Sequence, residues 1–193
     1  MPPVRAKPAL DIGVHVASAA WRRALPGAAR HAERAAHAAF AVARGARRSR
    51  ATRGLACAGD AASIEAAVVL ANDARVRRLN RSWRGQDKPT NVLAFAALDG
   101  ACAPHTAAQP VALGDVIVAL ETARAEARAE GKPLADHLRH LVVHGILHLL
   151  GHDHRRPREA RRMERLEIKA LGTLDVPNPY TLRPERVRRR RAR

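Results

Sequence analysis

The chain has 193 residues, with 35 Lys and Arg against 18 Asp and Glu, giving a formal net charge of +17. So basic a surface disfavours cationic partners and favours polyanions, of which RNA is the obvious cytosolic example. The N-terminus lacks an apolar signal core, no run approaches the roughly 18–20 apolar residues that span a bilayer, and Cys57 and Cys102 make no disulfide framework, so the expectation is a cytoplasmic protein with no membrane role.

A hydrophobic content of 47% at this length supports one domain with a full core, and aromatics at 3% leave that core to Ala, Val, Leu and Ile. Residues 1–9 read as a basic tail. Leu10 to Ala17 alternates apolar and polar residues, which predicts a first strand. Pro26 suits the first turn of an Ala-rich helix over residues 26–43, with Ala29, Ala36, Phe40 and Ala43 on one face. Residues 44–60 read as a basic loop insertion whose arginines are either solvated or RNA-facing. The β-branched run Ile64 to Ala71 predicts a buried strand. Asn72 or Asp73 then caps a short helix on which Val76, Leu79 and Trp83 share a face. For Trp83, core packing is expected ahead of base stacking.

Gly85 and Pro89 bracket a turn before a third strand from Val92 to Ala97, and Arg84 brings to that turn a planar cationic fork suited to a phosphate oxygen. Residues 98–113, with Gly100, Pro104 and Pro110, read as a flexible connection to a fourth strand, Gly114 to Leu120. A helix over 121–130 stops at Gly131, and Pro133 opens another that runs to Leu150. Pro157 starts a last helix with the apolar stripe Met163, Leu166, Ala170 and Leu171, closed by Gly172. Residues 173–182 are Pro-rich and extended, and residues 181–193 form an Arg-rich tail.

The chemistry concentrates at His144-Gly145-Ile146-Leu147-His148-Leu149-Leu150-Gly151-His152-Asp153-His154. His144 and His148 stand on one face of a helix, and Gly151 can take the left-handed conformation that ends it. His152 and His154 then compete to be the third ligand, and the longer offset of His154 gives the chain room to complete its turn. Three imidazoles with an open fourth position describe a catalytic zinc site better than a closed structural one. The spacing matches H-x-x-x-H-x-x-G-x-x-H, the metzincin ligand arrangement, but Gly145 stands where a metzincin has its general base Glu. Metal chemistry other than peptide hydrolysis is therefore expected. His140, a turn earlier, is expected to support the ligands or pack in the core.

The block 144–154, together with Arg84-Gly85-x-Asp87-x-Pro89-Thr90-Asn91-Val92-Leu93-x-Phe95 and Gly114-Asp115, resembles the YbeY family of bacterial rRNA maturation factors. The similarity extends over about residues 10–180 and includes Asn72-Asp73, Leu79-Asn80, Met163-Glu164-x-Leu166-Glu167 and Leu171-Gly172. It implies an α+β fold: a four-stranded mixed sheet packed with about five helices, a buried zincin-like metal helix, and a cleft beside the sheet edge. It implies a single-strand-specific metallo-endoribonuclease domain over 10–180, acting in rRNA processing (16S rRNA 3′-end maturation) and ribosome quality control. It also implies one Zn²⁺ per chain on His144, His148 and His154, a functionally essential Arg84, and single-stranded RNA, rRNA and the small ribosomal subunit as partners. No DNA role is implied. Asp87, Asp115 and Asp153 are the carboxylates expected as possible helpers, with Asp153 orienting an imidazole.

Overall fold

A computed structural model describes residues 9–46, 63–97 and 110–181. Most of the basic insertion at 44–60, both cysteines, most of the 98–113 connection and both terminal tails lie outside the described residues.

The strands are β1 (Leu10–Val16), β2 (Ile64–Ala71), β3 (Val92–Ala96) and β4 (Val111–Ala119), in the order β1-β2-β4-β3. β1 pairs parallel to β2 and β2 parallel to β4, whereas β3 runs antiparallel to β4. The sheet is therefore mixed, as the family resemblance implies, and β3 is an edge with one side unpaired among the described residues. Among the described residues six helices accompany it: α1 (Ala20–Ala24), α2 (Ala28–Gly45), α3 (Asp73–Arg84), α4 (Leu120–Ala129), α5 (Leu134–Leu149) and α6 (Pro157–Gly172). Sequence periodicity missed α1, whose five residues are too few to show a repeat. Its Trp21 is wholly buried, and the indole N–H donates to the Ala71 carbonyl at 2.8 Å.

Alternation along the strands sorts the core into two layers. Val68, Leu70, Val116 and Val118 point into a large cluster with α2, α5 and α6, built mainly from Ala, Val and Leu. Ile117, Ala119, Ala71 and Leu93 point the other way and meet Val76 and Leu79 of α3 in a smaller cluster. α3 thus lies on the sheet face opposite the histidine helix. Asn72 caps α3 by accepting from the Arg75 N–H at 3.0 Å, while Asp73 accepts from the Thr122 N–H and hydroxyl at 3.1 and 2.8 Å, tying α3 to α4.

Two expectations need correction. Val76 is buried as predicted, but Trp83 is 72% exposed. The final turn of α3 reaches the edge strand, and among the described residues no strand lies beyond it to cover the indole. The fourth strand also begins at Val111, inside the expected connection. A register shift pairs Glu65 with Ala112 but Ala66 with Gly114, leaving Leu113 as the extra residue of a bulge. That extra residue breaks the alternation from which strands are read.

Candidate functional site

α5 presents His144 and His148 one turn apart and ends as the sequence anticipates. Gly151 has φ 82°; its N–H donates to the His148 carbonyl at 2.9 Å, and the His152 N–H donates to the Leu147 carbonyl at 3.0 Å. These two bonds form the paired closure of a left-handed helix terminus. They turn the chain back and bring the His154 ring centroid to 5.4 Å from His144 and 5.1 Å from His148.

One ring nitrogen from each of His144, His148 and His154 lies within 4.8 Å of the others, a group able to hold a metal ion. His144 Nε2 and His148 Nε2 are 3.0 Å apart. Two nitrogens on one tetrahedral zinc, each at about 2.05 Å, would be about 3.3 Å apart, so the His144 and His148 pair fits with a small outward adjustment. Burial, then the neighbouring His144 and His154, push the His148 pKa down to about 4. The ring is therefore neutral near neutral pH, the form that ligates. His152 stays outside the trio. It is 3% exposed, and its Nε2 has no hydrogen-bond partner among the described residues.

Glu167 of α6 backs the cluster, with its side chain 1% exposed. The His144 Nδ1–H donates to Oε1 at 2.8 Å, the His140 Nε2–H donates to Oε2 at 3.2 Å, and the Tyr180 hydroxyl also donates to Oε2. Burial alone would raise this carboxyl, but the donors from His140, His144 and Tyr180 hold it down to about 2. Burial, and then the same carboxylate, drives the Tyr180 phenol upward. The Glu167 carboxylate, accepting from Nδ1, fixes the His144 tautomer and leaves the lone pair of Nε2 toward His148.

These histidines open into a cleft of about 660 Å³ whose lining also includes Trp83 and Arg84 from α3 and Asn91 to Ala96 from the edge strand. The site is assembled around β3, an edge strand among the described residues: the imidazoles come from one sheet face and Arg84 from the helix on the other. Asn91 anchors the start of that edge. Its amide donates to Glu126 Oε2 at 2.9 Å, and its carbonyl accepts from the Ala119 N–H at 2.9 Å. The buried Asn80 shapes the turn after Arg84, donating to the Lys88 carbonyl at 2.8 Å.

The three candidate carboxylates separate. Asp87 is held bidentately by Arg77, with both contacts at 2.8 Å, and does not line the cleft. Asp115 does not line it either. Asp153 does, but it accepts from the His154 backbone N–H at 2.7 Å and pairs with Arg155 at 3.3 Å. The imidazole-orienting carboxylate is Glu167, a residue whose role sequence reasoning missed. Its signal was present: position 167 falls within the stripe of Met163, Leu166, Ala170 and Leu171, and a carboxylate on a buried helix face requires donors.

The absent general base has a steric cause. A Cβ at Gly145 would lie 2.5 Å from Val116 Cγ1 and 2.9 Å from Cγ2. α5 sits directly on β4, and no side chain fits between them. Gly145→Ala is expected to cost about 1–3 kcal/mol through overpacking, read as a lower denaturation midpoint with an unchanged m-value.

Comparison with known proteins now bears on this arrangement. The sequence profile described as Endoribonuclease YbeY matches residues 47–175. The chain belongs to the YbeY family. A relative from Paramagnetospirillum magneticum, named Endoribonuclease YbeY, is 56% identical over 117 residues, covering 61% of this chain and 71% of its own. Another of that name, from Rhodopseudomonas palustris strain BisA53, is 54% identical over 122 residues, covering 63% and 70%. The fold is also similar to the solution structure of TM1509 from Thermotoga maritima, with a TM-score of 0.51 and 19% identity over 93% of this chain and 100% of that one. The YbeY match takes in Arg84, β3 and the whole histidine segment, so the cleft lies inside the family's shared region. No helix among the described residues is long and apolar enough to cross a membrane.

Proposed function

We propose that the chain is a cytoplasmic, zinc-dependent, single-strand-specific endoribonuclease acting in rRNA processing, at the 3′ end of 16S rRNA and in ribosome quality control, on the small ribosomal subunit. The observation that carries this reading is the shared cleft: Arg84 and a compact trio of imidazoles face one space in a chain whose relatives are named endoribonucleases. The ligands would be His144, His148 and His154. A zinc ion bound there supplies Lewis-acid polarisation of a phosphoryl oxygen and a lowered pKa for water. Arg84 binds the phosphate and counters the charge that builds on it during cleavage. The guanidinium acts as a fork on the phosphate oxygens, in a cleft that the edge strand and the imidazoles also line. The +17 net charge draws the polyanion to the protein.

The deciding experiment is cleavage of single-stranded rRNA by purified protein, with Arg84→Ala alongside. A loss of about 100-fold or more in kcat/KM is expected for that variant; full cleavage by it would remove Arg84 from the site. Glu167 gives a second test that does not depend on turnover. Glu167→Gln keeps the shape and removes the charge that fixes His144, so zinc affinity measured by chelator competition should fall about 10–100-fold. Unchanged affinity would leave Glu167 a packing residue.

A further inference from the structure

Only Trp83 and Tyr180 are exposed large hydrophobic residues among those described. Tyr180 is engaged by Glu167, but the indole of Trp83 has no such anchor. It meets Phe95 of the edge strand, ring centroids 5.8 Å apart and planes inclined by 62°. Both rings line the cleft that holds Arg84 and the imidazoles. The chain has two tryptophans; one is wholly buried in the core and the other is set at the rim of the proposed active site. Leaving an indole in water sacrifices the burial it would gain in a core, so its position at the rim calls for a ligand.

We propose that Trp83, held edge-on by Phe95, is a stacking platform for one unpaired nucleobase of the RNA substrate; this rests on the endoribonuclease reading above. Arg84 is the next residue in the chain and ends the same helix turn. Both residues line the one cleft, so a base stacked on Trp83 leaves its adjoining phosphate in the space that Arg84 also faces. Stacking needs a free base face, and in a duplex that face is occupied by neighbouring pairs. Trp83 thereby gives single-strand selectivity without reading sequence, because every base has a π-face. An apolar protein segment is the rival occupant, but the cationic neighbour and the continuity with the phosphate cleft favour a nucleotide.

The test uses the zinc-loaded full chain and intrinsic tryptophan fluorescence in rapid mixing. Short oligouridylate is compared with an abasic oligomer of the same backbone and with duplex RNA. Trp21 is buried, so the signal belongs to Trp83, and Trp83→Phe should abolish the emission change. Oligouridylate is expected to quench Trp83, whereas the abasic oligomer and the duplex leave it unaltered. Trp83→Leu should raise KM about tenfold or more, with the loss falling on KM rather than kcat, and Trp83→Phe should recover most of it. Equal quenching by the abasic oligomer, or a wild-type KM in Trp83→Leu alongside active wild-type enzyme, overturns the stacking role and leaves the endoribonuclease reading standing. Wild-type protein that neither binds nor cleaves RNA overturns both.

Discussion

Purified His148→Ala is expected to fold, to lose stoichiometric zinc and to cleave single-stranded RNA at least about 1000-fold more slowly than wild type. The folding expectation comes from how α5 ends. Its closure uses the carbonyls of Leu147 and His148 and the backbone of Gly151 and His152, none of which the substitution removes. The helix is fixed by Leu138, Val142, Ile146 and Leu149 in the main core. Removing the imidazole leaves two donors where three converge within 4.8 Å, too few to hold zinc against competition from water. Circular dichroism, metal content by elemental analysis and the cleavage rate together decide the case. A variant that unfolds when the metal is lost would make the zinc structural. One that cleaves RNA at the wild-type rate would trace the activity to a contaminating nuclease.

The second large effect is on stability. Gly114 sits in the bulge of β4 with φ 122°, and a Cβ there would lie 2.0 Å from the Phe95 carbonyl oxygen and 2.9 Å from the Ala97 nitrogen. Both contacts are backbone, which cannot swing aside as a side chain would. Gly114→Ala must therefore adopt an unfavourable φ and push β3 away from β4, at a cost of about 3 kcal/mol or more. For a domain of this size the melting temperature should fall by about 6–12 °C. Among the described residues β3 has no other strand partner, and it forms one wall of the cleft, so cleavage should fall more than the folded fraction does. Gly13→Ala in β1, where a Cβ would meet nothing within 4 Å, is the control and should be close to neutral.

The features most legible in the sequence were those set by short-range rules. The His144/His148 pair follows from helical spacing, the return to His154 from the left-handed glycine between, and the Asn72 cap from its side-chain acceptor. Features set by what lies beside an element were not legible. Helical spacing puts Trp83 on the same face as Val76 and Leu79, yet whether a face is covered depends on strand order, and β3 turned out to be the edge. The bulge at Leu113 interrupts the alternation that marks a strand, so β4 looked shorter than it is. Glu167 was hidden because an apolar stripe is read from its apolar members, and the exception within it belongs to tertiary structure.

The tight seat of Gly145 on Val116 also constrains how this scaffold can change. The histidine trio here lacks the general-base carboxylate of a metzincin peptidase, and that carboxylate belongs at position 145. It cannot be introduced first, because the incoming side chain collides with β4 before it can do any chemistry. Val116 would have to shrink beforehand, and that step alone opens a hole in the core with no catalytic return. Between the two chemistries therefore lies an ordered pair of substitutions whose obligatory first member is a loss, so the packing of one helix on one strand acts as a ratchet that keeps this cleft from drifting toward peptide hydrolysis.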